Sequence, residues 1–314
     1  MADTEHYVRD DVRGFLEMLE QMGNQGVEQV GVEEGREQMR VLGSMAEAPA
    51  PELAVKRDLT CPGPAGEIPL RFYDPRESRD PGPAILFLHG GGFVIGDIGV
   101  YDSLCAAIAK EMDLPVISVE YRLAPEHPFP AAPDDCEAAA RWVATSPDAL
   151  GREITGLIPM GDSAGGNLTI VVTNQLSAEP AEVPVVMQVP IYPVASDVSQ
   201  HESFANFADG YLLTGAAMAW FTDQYKADAS DPRNTPIIGD CSNTPPTVLC
   251  TAGLDPLRDS GREYAAHLIQ LGTNVVYLEF KGNIHGFITL RKAIPSGQDD
   301  FAALIASMKL MLAR

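Results

Sequence analysis

No stretch of this sequence stays apolar over the length that a bilayer-spanning helix requires. Residues 1–11 are charged and lack the apolar run of a secretory signal, so the expectation is a cytoplasmic protein that does not enter membranes. Basic side chains are scarce: 22 Lys and Arg stand against 44 Asp and Glu, a net charge of -22. The mean field of such a chain repels phosphate backbones and anionic lipid heads, which argues against nucleic acid and membrane surfaces as partners. The acidity itself speaks to solubility, not to fold. Cysteine is sparse as well. Cys61, Cys105, Cys136, Cys241 and Cys250 are odd in number and show no Cys-x-x-Cys spacing, which argues against a disulfide framework and a zinc knuckle. They read as reduced thiols packing as small apolar residues. The six histidines form no His-Glu-x-x-His and no pair at metal-ligand spacing, and there is neither a Gly-x-Gly-x-x-Gly turn nor a phosphate loop. No metal and no cofactor is therefore expected.

What is present is an ordinary globular composition, 45% hydrophobic and 21% charged over 314 residues, enough for one large core with a lid. Val12, Phe15, Leu16, Leu19 and Met22 share one helical face, and Gly23 stops that helix. A Glu-, Gln- and Gly-rich stretch to about Met45 carries Val27, Val30, Met39 and Leu42 and reads as one or two further helices. After Pro49 and Pro51, residues 53–60 and 68–73 alternate moderately and predict an antiparallel pair turning at 62–66. Continuous apolar runs follow at 84–88, 116–119, 157–160, 185–189, 248–251 and 275–280, separated by helix-length segments such as 105–111 and 134–144. That alternation predicts an α/β fold with a mostly parallel central sheet flanked by helices. Residues 197–240 exceed what a crossover needs and hold Phe204, Phe207, Tyr211, Trp220, Phe221 and Tyr225, which suggests an inserted lid.

Gly161-Asp162-Ser163-Ala164-Gly165 follows the apolar run ending at Met160 and precedes a helix-compatible segment, 167–177. A nucleophile on a strained strand-to-helix turn needs small residues two before and two after it, so that strand and helix can approach. The helix N-terminus then sets backbone N–H groups beside developing negative charge. Gly161, Gly165 and Gly166 meet that need, although the pentapeptide alone also fits a glycine-rich turn with an incidental serine. His89-Gly90-Gly91-Gly92-Phe93 follows the first buried-type run, and its consecutive glycines let N–H groups turn inward to receive an oxyanion. An acid and a histidine must follow the serine in that order. Asp255 lies just past the 248–251 run and His285 just past the 275–280 run. Asp259 is the rival acid but sits a turn deeper in a helix, whereas catalytic groups lie outside the carboxyl ends of strands, so Asp255 is preferred. His6, His127, His201 and His267 have no such setting and read as structural or solvated.

With these motifs in order, the chain resembles the hormone-sensitive lipase family of bacterial esterases, in its branch with Gly-Asp-Ser-Ala-Gly. The likeness extends to 89–93, 120–132, 160–167, 209–214, 255–257 and 285–287, all in family order. The resemblance implies an α/β-hydrolase fold with a helical cap: residues 1–48 and 197–240 as cap, 49–196 and 241–314 as catalytic core. It implies Ser163 as nucleophile, His285 as base, Asp255 as orienting acid, and an oxyanion hole from the N–H groups of Gly91, Gly92 and Ala164. Short-chain acyl esters, small-molecule substrates needing no cofactor, are the implied substrates, and a homodimer is an implied assembly. Glu120 departs from the Asp that many members carry there, and the first forty or so residues match no strong family block. Phe93, Tyr192, Phe204, Leu212, Ile284 and Phe287 are candidates for lining acyl or alcohol pockets, with core packing as the other reading of each. Two other functions stay open. Plant gibberellin receptors resemble the family without catalysis but lack the histidine, which is present here as His285. The same triad also serves amide, lactone or thioester hydrolysis.

Overall fold

The computed structural model describes residues 6–23 and 25–313; the reading of 1–11 as free of a signal therefore rests partly on residues outside them. Three helices come first, α1 (Asp10–Gln21), the short α2 (Val27–Val30) and α3 (Val32–Ala46). α1 buries Val12 and Phe15, positions that its 3.6-residue period puts on one face. β1 (Val55–Gly63) and β2 (Gly66–Asp74) then form the antiparallel pair. The ladder extends past the expected turn start, with Pro62 opposite Glu67, because β1 is an edge strand where a proline's missing N–H is tolerated.

Strands and helices alternate from there: β3 (Gly82–Leu88), α4 (Asp102–Met112), β4 (Val116–Val119), α5 (Ala131–Ala144), β5 (Ile154–Asp162), α6 (Ala164–Ala178) and β6 (Val189–Ile191). After β6 come α7 (Glu202–Phe207) and α8 (Gly215–Tyr225), then β7 (Thr247–Leu254), α9 (Arg258–Gln270), β8 (Val275–Ile284) and α10 (Gly297–Leu312). The strands make one eight-stranded sheet in the order β1-β2-β4-β3-β5-β6-β7-β8, antiparallel at β1–β2–β4 and parallel across the remainder. This is the expected α/β-hydrolase sheet. Ile85 and Phe87 of β3 belong to one core cluster, with α4 and α10; Ala84, Leu86 and Leu88 belong to another, with α5 and α6. Successive strand side chains point to opposite faces, so a continuous apolar run needs helices on both.

The predicted boundaries move where polar or proline residues mask the pairing. The run at 185–189 is not itself the strand: Val185 makes a single bridge to Leu157, and β6 begins at Val189. Pro184 and Pro190 cannot donate to a ladder, which limits pairing there. β7 and β8 continue past 251 and 280 to Leu254 and Ile284, which pair with each other beyond an irregularity in register. α6 starts at Ala164 instead of 167, so Ser163 itself is its N-cap. Outside the sheet, α2 packs on α8 and α1 packs on β8. Among the described residues no helix is long and apolar enough to cross a membrane.

Candidate active site

β5 ends at Asp162 and α6 begins at Ala164, leaving Ser163 alone in the turn at φ 56° and ψ -117°. Such a conformation costs a residue with a side chain on the order of 1–3 kcal/mol, so the surroundings must enforce it. They do so through contact. A Cβ on Gly161 would lie 2.3 Å from the Leu88 carbonyl oxygen, and one on Gly165 would lie 1.9 Å from the same atom. Strand and helix thus meet at a spacing that only glycine permits at these positions. The Ser163 N–H donates to the Ile191 carbonyl at 2.9 Å, tying the turn to β6.

His285 directly follows β8, and Asp255 directly follows β7. The half-buried Ser163 hydroxyl lies 2.9 Å from His285 Nε2, and His285 Nδ1 lies 2.7 Å from Asp255 Oδ2. Asp255 is fully buried, and its other oxygen accepts the Leu257 N–H at 2.8 Å, which fixes the carboxylate plane. Asp259 lies elsewhere: it accepts the Ser203 N–H at 2.9 Å and pairs with Arg258 and Arg262. Of the two acids, the fold brings Asp255 to the histidine.

Leu88 pairs with Gly161 across the parallel β3–β5 register, so the loop after β3 emerges beside Ser163. In that loop Gly91, Gly92 and Phe93 have φ of 115°, 60° and 64°. Gly90 donates its N–H to Asp162 Oδ1 at 2.8 Å. Ala164 is the first residue of α6, where a backbone N–H has no partner within the helix. His89 is fully buried and stacks on Tyr121 with ring centroids 4.2 Å apart. Its Nδ1–H donates to the Gly90 carbonyl at 2.8 Å, and burial holds its imidazole down at about 4, so it is neutral at pH 7. Burial also pushes the Asp162 carboxyl up to about 6.

The residues read as pocket walls divide into groups. Tyr192, Ile284 and Phe287 have no exposed surface in this structure, which favours the core-packing reading of each. Tyr192 packs on His285 with ring centroids 4.5 Å apart, Phe287 meets Tyr192 edge-on at 5.5 Å, and Ile284 joins Val12 and Leu254 in a core cluster. Phe93 is 7% exposed and stacked on Tyr225 of α8 at 3.9 Å. Phe204 and Leu212 remain half-buried, and the Leu212 Cδ2 is 3.7 Å from where a Cβ on Gly286 would sit, next to His285. The sequence reading missed Phe221 as a site residue. A Cβ on Gly92 would lie 2.4 Å from its ring, so this α8 side chain lies directly over the glycine loop. Its only sequence signal was membership of the aromatic-rich insertion.

The alpha/beta hydrolase fold family profile matches residues 85–289. The chain is 34% identical to the ethyl acetate hydrolase of Pseudomonas putida, over 95% of this chain and 98% of that one. It is 38% identical to the carboxylic ester hydrolase LipN of Mycobacterium tuberculosis, over 85% of this chain and 73% of the relative. Among solved structures, an ester-hydrolase from the metagenome of Lake Arreo aligns with a TM-score of 0.90 at 34% identity, covering 98% of this chain and 100% of the other. A hyperthermophilic esterase from Pyrobaculum calidifontis aligns at 0.87 and 36% identity, again over 98% and 100%. With matches of this extent, the chain belongs to the alpha/beta hydrolase fold family, in its hormone-sensitive lipase-like branch of esterases.

Proposed function

We propose that the protein is a serine carboxylesterase that cleaves short-chain acyl esters through an acyl-enzyme intermediate. The observation that carries this reading is the unbroken chain from Ser163 Oγ to His285 Nε2 at 2.9 Å and from His285 Nδ1 to Asp255 Oδ2 at 2.7 Å. The names of its relatives, ethyl acetate hydrolase and carboxylic ester hydrolase among them, support the same reaction class. Ser163 attacks the ester carbonyl as His285 takes its proton, while Asp255 holds the Nδ1–H tautomer and favours the imidazolium. The N–H groups of Gly91, Gly92 and Ala164 receive the oxyanion, a task for which each donor is worth about 10²–10³ in rate. His285 then protonates the leaving alcohol, and water repeats the sequence on the acyl-enzyme. Residues 1–48 and 197–240 act as the cap, supported by the packing of α2 on α8 and of Phe221 over Gly92.

A fluorophosphonate probe tests the nucleophile without a choice of substrate. The protein should bind one equivalent, with the adduct on the peptide carrying Ser163, and Ser163→Ala should bind none. Labelling that survives in Ser163→Ala would overturn the assignment.

A further inference from the structure

We infer that Asp162 is a positioning residue for both halves of the site: its carboxylate holds the glycine loop against the nucleophile turn and supplies negative charge that favours the protonated form of His285. The inference rests on the serine-hydrolase reading and adds a second carboxylate to it. Asp162 immediately precedes Ser163, and its side chain is buried. Oδ1 accepts the Gly90 N–H at 2.8 Å, and Oδ2 accepts the hydroxyls of Tyr101 at 3.0 Å and Tyr192 at 3.3 Å. Gly90 is packed directly on this group, since a Cβ there would lie 2.6 Å from Oδ2 and 2.8 Å from the Tyr101 hydroxyl. The next residues of that loop, Gly91 and Gly92, are the proposed oxyanion donors, so one carboxylate sets the distance between donors and nucleophile.

Tyr192 carries the second half of the argument. It holds an unfavourable φ of 32°, with its N–H on the Cys250 carbonyl at 2.7 Å. Its hydroxyl is on Asp162, and its ring packs against His285. The titratable groups around Asp162 are Tyr101 just before α4, Cys105 of α4, Tyr121 after β4, Tyr192 after β6, Cys250 of β7, and His285 after β8. Burial pushes all of those phenols and thiols up, so they stay neutral. The carboxyl of Asp162 is pushed up by burial to about 6, so its charge changes near neutral pH. His89, on the same loop, is held neutral by burial down to about 4. The donors to Asp162 are all neutral groups, so its charge is not cancelled by an ion pair and reaches His285 across a low-dielectric interior.

The test is the acid limb of kcat/KM against pH for p-nitrophenyl butyrate, measured for the parent, Asp162→Asn, Tyr101→Phe and Ser163→Ala. Asp162→Asn keeps an acceptor for Gly90 and removes the charge, so its limb should move down by roughly one pH unit. Tyr101→Phe removes a donor that favours ionisation of Asp162, so less of the charge is present and its limb should also move down, by less than in Asp162→Asn. Asp162→Ala removes both functions and should lower kcat about 10²-fold with little change in KM, as expected for a misplaced oxyanion loop. A merely structural role would lower activity in the Asp162 and Tyr101 variants without moving the limbs. Unmoved limbs, or a limb that moves up in either variant, overturn the inference. If Asp162→Asn fails to fold, an unmoved limb in Tyr101→Phe alone is enough to overturn it. A parent that is inactive, or no more active than Ser163→Ala, defeats the serine-hydrolase reading instead and takes this inference with it.

Discussion

At the residue scale, the sequence left Asp255 and Asp259 as rivals, and their partners now separate them. Asp255 accepts from His285 and from the Leu257 N–H, whereas Asp259 is occupied by Ser203, Arg258 and Arg262. Asp255→Asn should lower kcat by about 10⁴ with KM little changed, since it loses the acceptor that fixes the histidine tautomer. Asp259→Asn should stay within a few-fold of the parent in the same steady-state assay. Position relative to the strand end made this choice legible in the sequence. For Tyr192, Ile284 and Phe287 no such signal existed: an aromatic or aliphatic residue beside a motif looks the same whether it faces substrate or core. Two buried groups also give opposite pH dependences. His89, held at about 4, contributes stability that is present above its ordinary 6.5 and lost as pH falls through 4. Asp162, raised to about 6 from 3.8, contributes stability that is present below 3.8 and lost as pH rises through 6. The two oppose each other between roughly pH 4 and 6. Asp162→Asn leaves the His89 contribution alone, so its unfolding free energy should rise more steeply with pH than the parent's over that window, by up to about 1.4 kcal/mol per pH unit. Urea denaturation at several pH values measures it, and equal slopes would contradict the account.

At the scale of elements, the site depends on how closely β5, α6 and β3 approach. Gly165→Ala should therefore be severe, since its Cβ would press into the Leu88 backbone at 1.9 Å. A loss of at least about 3 kcal/mol, or no folded protein, is expected. Gly210→Ala has open space around it and only a φ of 81° to strain it, so a cost near 1 kcal/mol is expected. Thermal midpoints rank the pair. The strand-to-helix turn was legible because glycine, serine and a preceding apolar run all point to it locally. The ends of β7 and β8 were not, because polar residues 281–283 hide a pairing that depends on the neighbouring strand. Phe221 was hidden for the same kind of reason: its contact with Gly92 joins α8 to a loop more than a hundred residues earlier. Phe221→Ala should open space above the glycine loop and raise kcat/KM for longer acyl chains relative to acetyl; an unchanged chain-length profile would remove Phe221 from the pocket.

Over the whole molecule, the mostly parallel sheet follows from alternation of buried runs and helices, while the strand order and the packing of α2 on α8 follow from contacts that no local pattern encodes. Net charge acts at this scale. With -22 spread over 314 residues, the long-range field opposes an anionic substrate and is screened over about 10 Å at 0.1 M salt. Added salt should raise kcat/KM for a carboxylate-bearing acetate ester while leaving a neutral one nearly unchanged; equal salt dependence would show that the field does not reach the site. The central claim is that Ser163 carries the chemistry of ester cleavage. Hydrolysis of p-nitrophenyl acetate, butyrate and octanoate by the parent and by Ser163→Ala, purified identically, tests it most directly. The account predicts turnover of the short esters by the parent and a fall of at least about 10⁴-fold in the variant. A folded parent that turns over none of them, or a variant that keeps the parent's rate, would contradict it.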